Sequence, residues 1–256
     1  MNVAVAVPDL SFLDPGDGRR IAVRLRAATK GSPTILFLPG YRSDMEGVKA
    51  TAIDQFCASR GLGCLRMDYS GTGSSAGDFA EGTLARWLDE VVAAIDLGVP
   101  EGRIILVGSS MGGWLALHAA IKRKERVAGL LGIAAAPDFT DWGYPAEDRA
   151  VLLDQGKIER ANPYGGDPSV TYRDFWLSGE QMRLLFAPVE ILVPVRLVVG
   201  EKDGVVPIGV TLKLLEQLRS ADVHLKIIKN SGHNLSEPHE LHAILVELHN
   251  LVELAQ

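Results

Sequence analysis

The sequence predicts an α/β protein: a mostly parallel central sheet with helices on both faces, and a cap inserted ahead of the last two strands. Three observations carry that expectation. Short apolar runs alternate with stretches of helical length from about residue 34 onward, as in a parallel sheet whose crossovers are helices. Each run is short and lies between turn residues, as strands do. One connection, between Ala134 and Val195, holds about 60 residues, far more than the usual loops plus one helix.

Near the N-terminus, Ile21-Ala22-Val23-Arg24-Leu25-Arg26 follows the turn cluster Asp14-Pro15-Gly16-Asp17-Gly18. That pairing predicts an antiparallel edge hairpin. Parallel strands are expected at Thr34–Leu38, Cys64–Met67, Ile104–Val107, Val127–Ile133, Val195–Val199 and Val223–Ile228. Helices are expected over 46–60, 83–97, 111–124, 208–219 and 237–253, with Thr83 and Ser236 near two of the starts. The whole chain, 1–256, reads as a single domain, with the cap at about 137–190. Inside the cap, Pro145-Ala146-Glu147-Asp148 opens one helix. Ser178-Gly179-Glu180-Gln181 has the form of a capping box opening another ahead of Met182, Leu184 and Leu185.

Composition limits the partners. The 256 residues carry 26 basic and 32 acidic side chains, a formal charge of -6, which repels a nucleic-acid backbone. The basic run Lys122-Arg123-Lys124 with Arg126 falls at an expected helix end, where cations complement the helix dipole. Cys57 and Cys64 are too few for a disulfide scaffold and form no zinc pattern, so buried free thiols are expected. No run approaches the length of a membrane span, and no secretory signal pattern precedes Pro8 and Asp9. A cytoplasmic protein without metal or cofactor is expected; its oligomeric state is left open.

The chemistry is concentrated at Gly108-Ser109-Ser110-Met111-Gly112, where a buried strand runs through Gly-x-Ser-x-Gly into a small-residue helix. This is the nucleophile elbow in its required context, and it makes Ser110 the candidate nucleophile. Gly73-Ser74-Ser75-Ala76-Gly77 fits the same spacing but lacks a strand before it and a helix after it; it is expected to be a mobile glycine loop near the site. A serine hydroxyl needs a base and a group that orients the base. His233 lies in a turn between the last strand and the last helix, whereas His118, His239, His242 and His249 fall in helices and His224 in a strand. Asp203 follows the strand ending at Val199, with Glu201 and Asp138 as rival acids. The order Ser, Asp, His is that of the α/β-hydrolase fold. The oxyanion hole is expected from the backbone N–H groups of Met111, at the helix start, and of Tyr41, in the loop Pro39-Gly40-Tyr41.

The cap is rich in aromatics: Phe139, Trp142, Tyr144, Tyr164, Tyr172, Phe175, Trp176 and Phe186. Phe139, Trp142, Phe175, Trp176 and Phe186, with Trp114 beyond the elbow, are expected to line an apolar substrate pocket. The alternative is that they glue the cap to the sheet.

Four segments in order extend the reading: Phe37-Leu38-Pro39-Gly40-Tyr41, Met67 to Ser75, Val107 to Trp114, and Gly200 to Pro207. Together they resemble the palmitoyl-protein thioesterase and mycophenolic acid acyl-glucuronide esterase family, from Thr34 to the C-terminus. Without an Arg-rich, acid-poor leader, the chain resembles its bacterial branch. The resemblance implies cleavage of long-chain S-acyl cysteine and of acyl-glucuronide esters, with the triad on Ser110, Asp203 and His233. The expected partner is therefore a small-molecule or S-acyl peptide substrate. An amidase or peptidase, or a carbon–carbon bond hydrolase, would use the same three residues, and a non-catalytic binding module could keep the fold.

Overall fold

The computed structural model describes residues 6–161 and 168–255. From the N-terminus come β1 (Leu10–Leu13), β2 (Ile21–Arg26), β3 (Thr34–Leu38), α1 (Val48–Ala58), β4 (Gly63–Met67) and α2 (Leu84–Ala93). Next are β5 (Ile104–Ser109), α3 (Met111–Lys122) and β6 (Val127–Ile133). The insert follows: α4 (Phe139–Trp142), α5 (Ala146–Gln155), β7 (Lys157–Arg160), β8 (Ser169–Tyr172) and α6 (Arg173–Gln181). The chain closes with β9 (Val195–Gly200), α7 (Ile208–Gln217), β10 (Val223–Ile228) and α8 (Pro238–Ala255).

Eight of the described strands form one sheet in the order β1-β2-β4-β3-β5-β6-β9-β10, while β7 and β8 pair as a separate ribbon. The expected edge hairpin is β1 with β2, antiparallel; β2 also pairs antiparallel with β4, and every later neighbour is parallel. All residues of β3, β5, β6 and β9 are buried, which explains why these segments read as unbroken apolar runs. Alternate side chains still point to opposite faces. Leu36, Leu38, Leu106 and Leu197 meet α2, α3 and α7 on one face, and Ile35, Phe37, Val107 and Val198 meet α1 and α8 on the other.

The helix starts follow local chemistry. Thr83 caps α2, its hydroxyl accepting the Arg86 N–H. Pro145 precedes α5 as expected. The second cap helix differs from expectation, because Ser178-Gly179-Glu180-Gln181 closes α6 instead of opening a helix. Ser178 does cap a helix, but across space: its hydroxyl accepts the Ala85 N–H in the first turn of α2. A capping box read along one chain cannot reveal a cap supplied from another element. The β7–β8 ribbon was not foreseen, since Lys157-Ile158-Glu159-Arg160 is a short, mostly exposed strand with no apolar face.

Candidate active site

The elbow has the strained geometry its sequence calls for. Ser110 sits between β5 and α3 at φ 53° and ψ -117°, a region a side chain rarely occupies. Crowding explains the two glycines. A Cβ at Gly108 would stand 2.2 Å from the Gly112 carbonyl oxygen, and one at Gly112 would stand 2.1 Å from that of Leu38. The strain is held from both sides: Ser110 N–H donates to Ile133 O at 2.9 Å, and its carbonyl accepts from Gly113 at 2.9 Å and Ala136 at 3.1 Å.

Ser110, His233 and Asp203 converge from three loops above the C-terminal ends of β5, β10 and β9. His233 Nε2 lies 3.2 Å from Ser110 Oγ, and His233 Nδ1 lies 2.8 Å from Asp203 Oδ2. A carboxylate oxygen only accepts, so Nδ1 carries the hydrogen and Nε2 is left to accept from the serine. The other oxygen, Asp203 Oδ1, accepts the N–H groups of Val205 and Val206, each at 2.9 Å. Burial pushes the Asp203 carboxyl up, but the hydrogen bonds from His233 and from the Val206 and Val205 N–H groups outweigh it and hold the acid below the usual carboxylate range.

Met111 opens α3 beside the serine, so its N–H has no carbonyl one turn back to pair with. The loop after β3 lies directly on the elbow, where a Cβ at Gly40 would be 3.4 Å from Ser110 Cβ. Among the described residues, neither the Tyr41 nor the Met111 N–H has a hydrogen-bond acceptor.

The rivals have other work. Asp138, buried at a left-handed φ of 57°, accepts the N–H groups of Leu184 and Leu185, each at 2.8 Å, and so staples the two ends of the cap together. Glu201 pairs with Lys229 and accepts the Asn230 N–H at 3.0 Å, bracing the loop that carries His233. His118 bonds the Met182 carbonyl at 2.8 Å, tying α3 to the cap. Ser75 is built into the fold, its hydroxyl donating to Asp68 O at 2.7 Å and accepting from Ala22 N at 2.8 Å. The glycine loop around it is thus pinned rather than mobile, because the Ser74 N–H is also held by Asp68 Oδ2 at 2.7 Å.

The six aromatics expected to line a pocket take different positions in the fold. Trp114 at 0% exposure and Phe175 at 1% belong to the main core, and Trp176 packs with Tyr144 and Leu152 in a small core inside the cap. Phe186 is 75% exposed. Phe139 and Trp142 are half-buried, Trp142 with its Nε1–H on the Pro137 carbonyl. Tyr164 lies outside the described residues. A cavity of about 740 Å³ opens beside His233, lined among others by Lys202, Val205, Asn230 and His239, and by none of the six expected aromatics. Sequence composition shows that aromatics cluster but not which way they face. Among the described residues no group of His, Cys, Asp and Glu could hold a metal ion, and no helix is long and apolar enough to cross a membrane.

A doubly covered parallel sheet with a serine elbow, an acid after β9 and a histidine after β10 defines a hydrolase, and residues 35–244 match the alpha/beta hydrolase family, to which the chain belongs. Palmitoyl-protein thioesterase ABHD10, mitochondrial, of Mus musculus is 38% identical over 250 residues, 95% of this chain and 82% of that protein. The Homo sapiens protein of the same name is 38% identical over 250 residues, 95% of this chain and 80% of that one. Among solved structures, a protein of Agrobacterium vitis S4 assigned to the hydrolases superimposes with a TM-score of 0.89 at 36% identity, covering 97% of this chain and 100% of that one. Alpha/beta hydrolase domain-containing protein 10 from mouse gives a TM-score of 0.87 at 36% identity, with 96% and 98% covered. In general terms the chain is a hydrolase of the esterase and thioesterase kind.

Proposed function

We propose that the chain cleaves carboxylic esters and thioesters through an acyl-enzyme on Ser110, and that its preferred substrates are long-chain S-acyl peptides or acyl-glucuronide esters. The relay from Asp203 Oδ2 through His233 to Ser110 Oγ, at 2.8 and 3.2 Å, carries the proposal. Ser110 Oγ bonds to the substrate carbonyl carbon as its proton passes to His233 Nε2, and Asp203 steadies the imidazolium that forms. The carbonyl oxygen becomes an oxyanion facing the Tyr41 and Met111 N–H groups. Collapse breaks the bond to the thiolate or alkoxide, which leaves with the proton from Nε2. Water then attacks the acyl-serine by the same route, giving the free acid and restoring Ser110. The substrate class is supported by the relatives named palmitoyl-protein thioesterase.

The test is fluorophosphonate labelling followed by peptide mapping, beside turnover of S-palmitoyl peptide, acyl glucuronide and a matched amide. Labelling at Ser110, abolished in Ser110→Ala, with thioester or ester turned over faster than amide, is expected. No label on folded protein, or amide as the preferred substrate, overturns the proposal.

A further inference from the structure

The loop after β3, which lies against Ser110 at Gly40 and continues into Tyr41, is held from two sides. On the sheet side, Tyr69 donates its hydroxyl to the Pro39 carbonyl at 3.1 Å. Directly after Tyr41, Arg42 has a φ of 61°, a left-handed conformation that a non-glycine residue keeps only when its surroundings enforce it. The Arg42 guanidinium lies 5.4 Å from the centre of the Phe79 ring. On the cap side, the Tyr41 ring packs 4.7 Å from Phe175 of α6 and 6.2 Å from Phe139 of α4, centre to centre. Its hydroxyl donates to the Val170 carbonyl of β8 at 3.0 Å. Tyr41 thus follows Gly40, which lies against Ser110, and sets its ring between the cap and the body of the fold, where Phe79 and Trp87 lie 5.2 and 6.0 Å away centre to centre, with its hydroxyl on the cap. Among the described residues the cap's other polar ties to the body of the fold include His118 to Met182, Ser178 to Ala85, and Val189 to Gln217 and Arg219; these reach α3, α2 and the end of α7, and not the loop over the serine.

We propose that the Tyr41 hydroxyl is a tether through which the cap sets the aim of the oxyanion donor, making Tyr41 a positioning residue through its side chain. This rests on the reading of Ser110 as nucleophile. An acyl chain long enough to lie between cap and sheet would contact both and hold the cap by itself, whereas an acetyl group would leave the hydroxyl as the polar link from this loop to the cap. The tether therefore matters most for short acyl groups. It acts on the transition state, where the oxyanion forms, and not on ground-state binding.

Tyr41→Phe removes the hydroxyl and keeps the ring. Complete loss of one oxyanion donor costs about 10²–10³ in kcat, so a misaimed donor is expected to forfeit about tenfold on p-nitrophenyl acetate. On p-nitrophenyl palmitate the loss is expected to stay under about threefold, with KM close to wild type in both cases. A trifluoromethyl ketone with a short acyl side, which forms an oxyanion on Ser110, should bind Tyr41→Phe about tenfold more weakly, while acetate binds both proteins equally. Equal losses on the two esters, no loss, or an effect confined to KM each overturn the tether. Thermal melts and near-ultraviolet circular dichroism establish folding; if Tyr41→Phe does not fold, Phe175→Leu, which loosens the cap's grip on the ring, is expected to give the same split. Wild-type labelling at Ser110 separates the two readings. An unlabelled wild type sinks the nucleophile assignment itself, and a labelled wild type with an unaffected Tyr41→Phe sinks only the tether.

Discussion

Replacing Asp203 by Asn tests the candidate relay at its least accessible link. The two oxygens of Asp203 have separate duties, Oδ1 accepting the Val205 and Val206 N–H groups and Oδ2 facing His233 Nδ1. An Asn must keep its carbonyl oxygen on the two N–H groups, because the flipped orientation would lose two hydrogen bonds at a cost of about 2 kcal/mol. Its NH₂ group then points at Nδ1 and turns that nitrogen into an acceptor. The imidazole hydrogen moves to Nε2, 3.2 Å from Ser110 Oγ, where a base is needed. The loss expected from a wrong tautomer is about 10⁴ in kcat, with the fold intact. Asp138→Asn is the control, since that carboxylate serves the Leu184 and Leu185 N–H groups and should affect stability more than turnover. The assay is p-nitrophenyl ester hydrolysis at constant pH with melting curves for both variants. A folded Asp203→Asn protein within about tenfold of wild type, or an Asp138→Asn protein that has lost more activity than Asp203→Asn, would refute the reasoning.

Ser75→Ala should keep turnover within a few-fold of wild type and lower stability by about 1–2 kcal/mol, because it removes an acceptor for the Ala22 N–H and a donor to Asp68 O. Denaturant titration beside turnover checks this, and abolished turnover in folded Ser75→Ala would reverse the assignment of the two serines. Acid stability should respond to the two aspartates in opposite senses. Asp203 is held below its usual range, so its contribution is present above the unfolded carboxyl value near about 3.9 and is lost as pH falls through the folded value. Burial pushes Asp138 up, against the hydrogen bonds of Leu184 and Leu185, so its contribution is full below the unfolded value and is lost as pH rises toward the folded one. Denaturant midpoints from pH 2 to 6 for wild type and the two Asn variants check both signs.

The central sheet was legible because its strands read as short runs rich in apolar residues and its crossovers have helical length: β3 and β6, buried throughout, begin and end where those runs do, and so does the partly exposed edge strand β10. That Ser110, His233 and Asp203 come together was legible for a related reason. Each occupies a loop at the C-terminal end of a parallel strand, so element order alone brings them to one end of the sheet. The cap was legible as an excess of residues but not as a structure. Its ribbon is too polar to read as strands, its capping serine serves α2 in another part of the chain, and the burial of Trp176 or exposure of Phe186 follows from packing that composition does not encode. No local signal marks the Tyr41 hydroxyl either, whose acceptor lies 129 residues away in sequence.

The cap aromatics can still be sorted by what their truncation does to chain-length preference. Trp176 is 7% exposed, donates its Nε1–H to Thr140 O at 2.9 Å, and shares the cap's small core with Tyr144 and Leu152. Trp176→Ala should therefore cost about 3–5 kcal/mol locally, as large-to-small changes in a packed core do. In so small a core that loss loosens the whole cap, so turnover of acetyl through palmitoyl esters should fall by a common factor and the melting temperature with it. Phe139 occupies a different position. It is half-buried at the seam where the chain enters the cap, with ring centres 5.6 Å from Trp114, 5.7 Å from Phe175 and 6.2 Å from Tyr41. If acyl chains run along that seam, each added methylene contributes up to about 0.8 kcal/mol, roughly fourfold in kcat/KM, until the space is filled. Phe139→Ala should flatten that rise and leave acetyl esters nearly unaffected. The measurement is a kcat/KM profile across acyl length for wild type and both variants, with melting curves alongside. A flattened profile in Trp176→Ala together with a parallel one in Phe139→Ala would exchange their roles, and parallel profiles in both would make every cap aromatic glue.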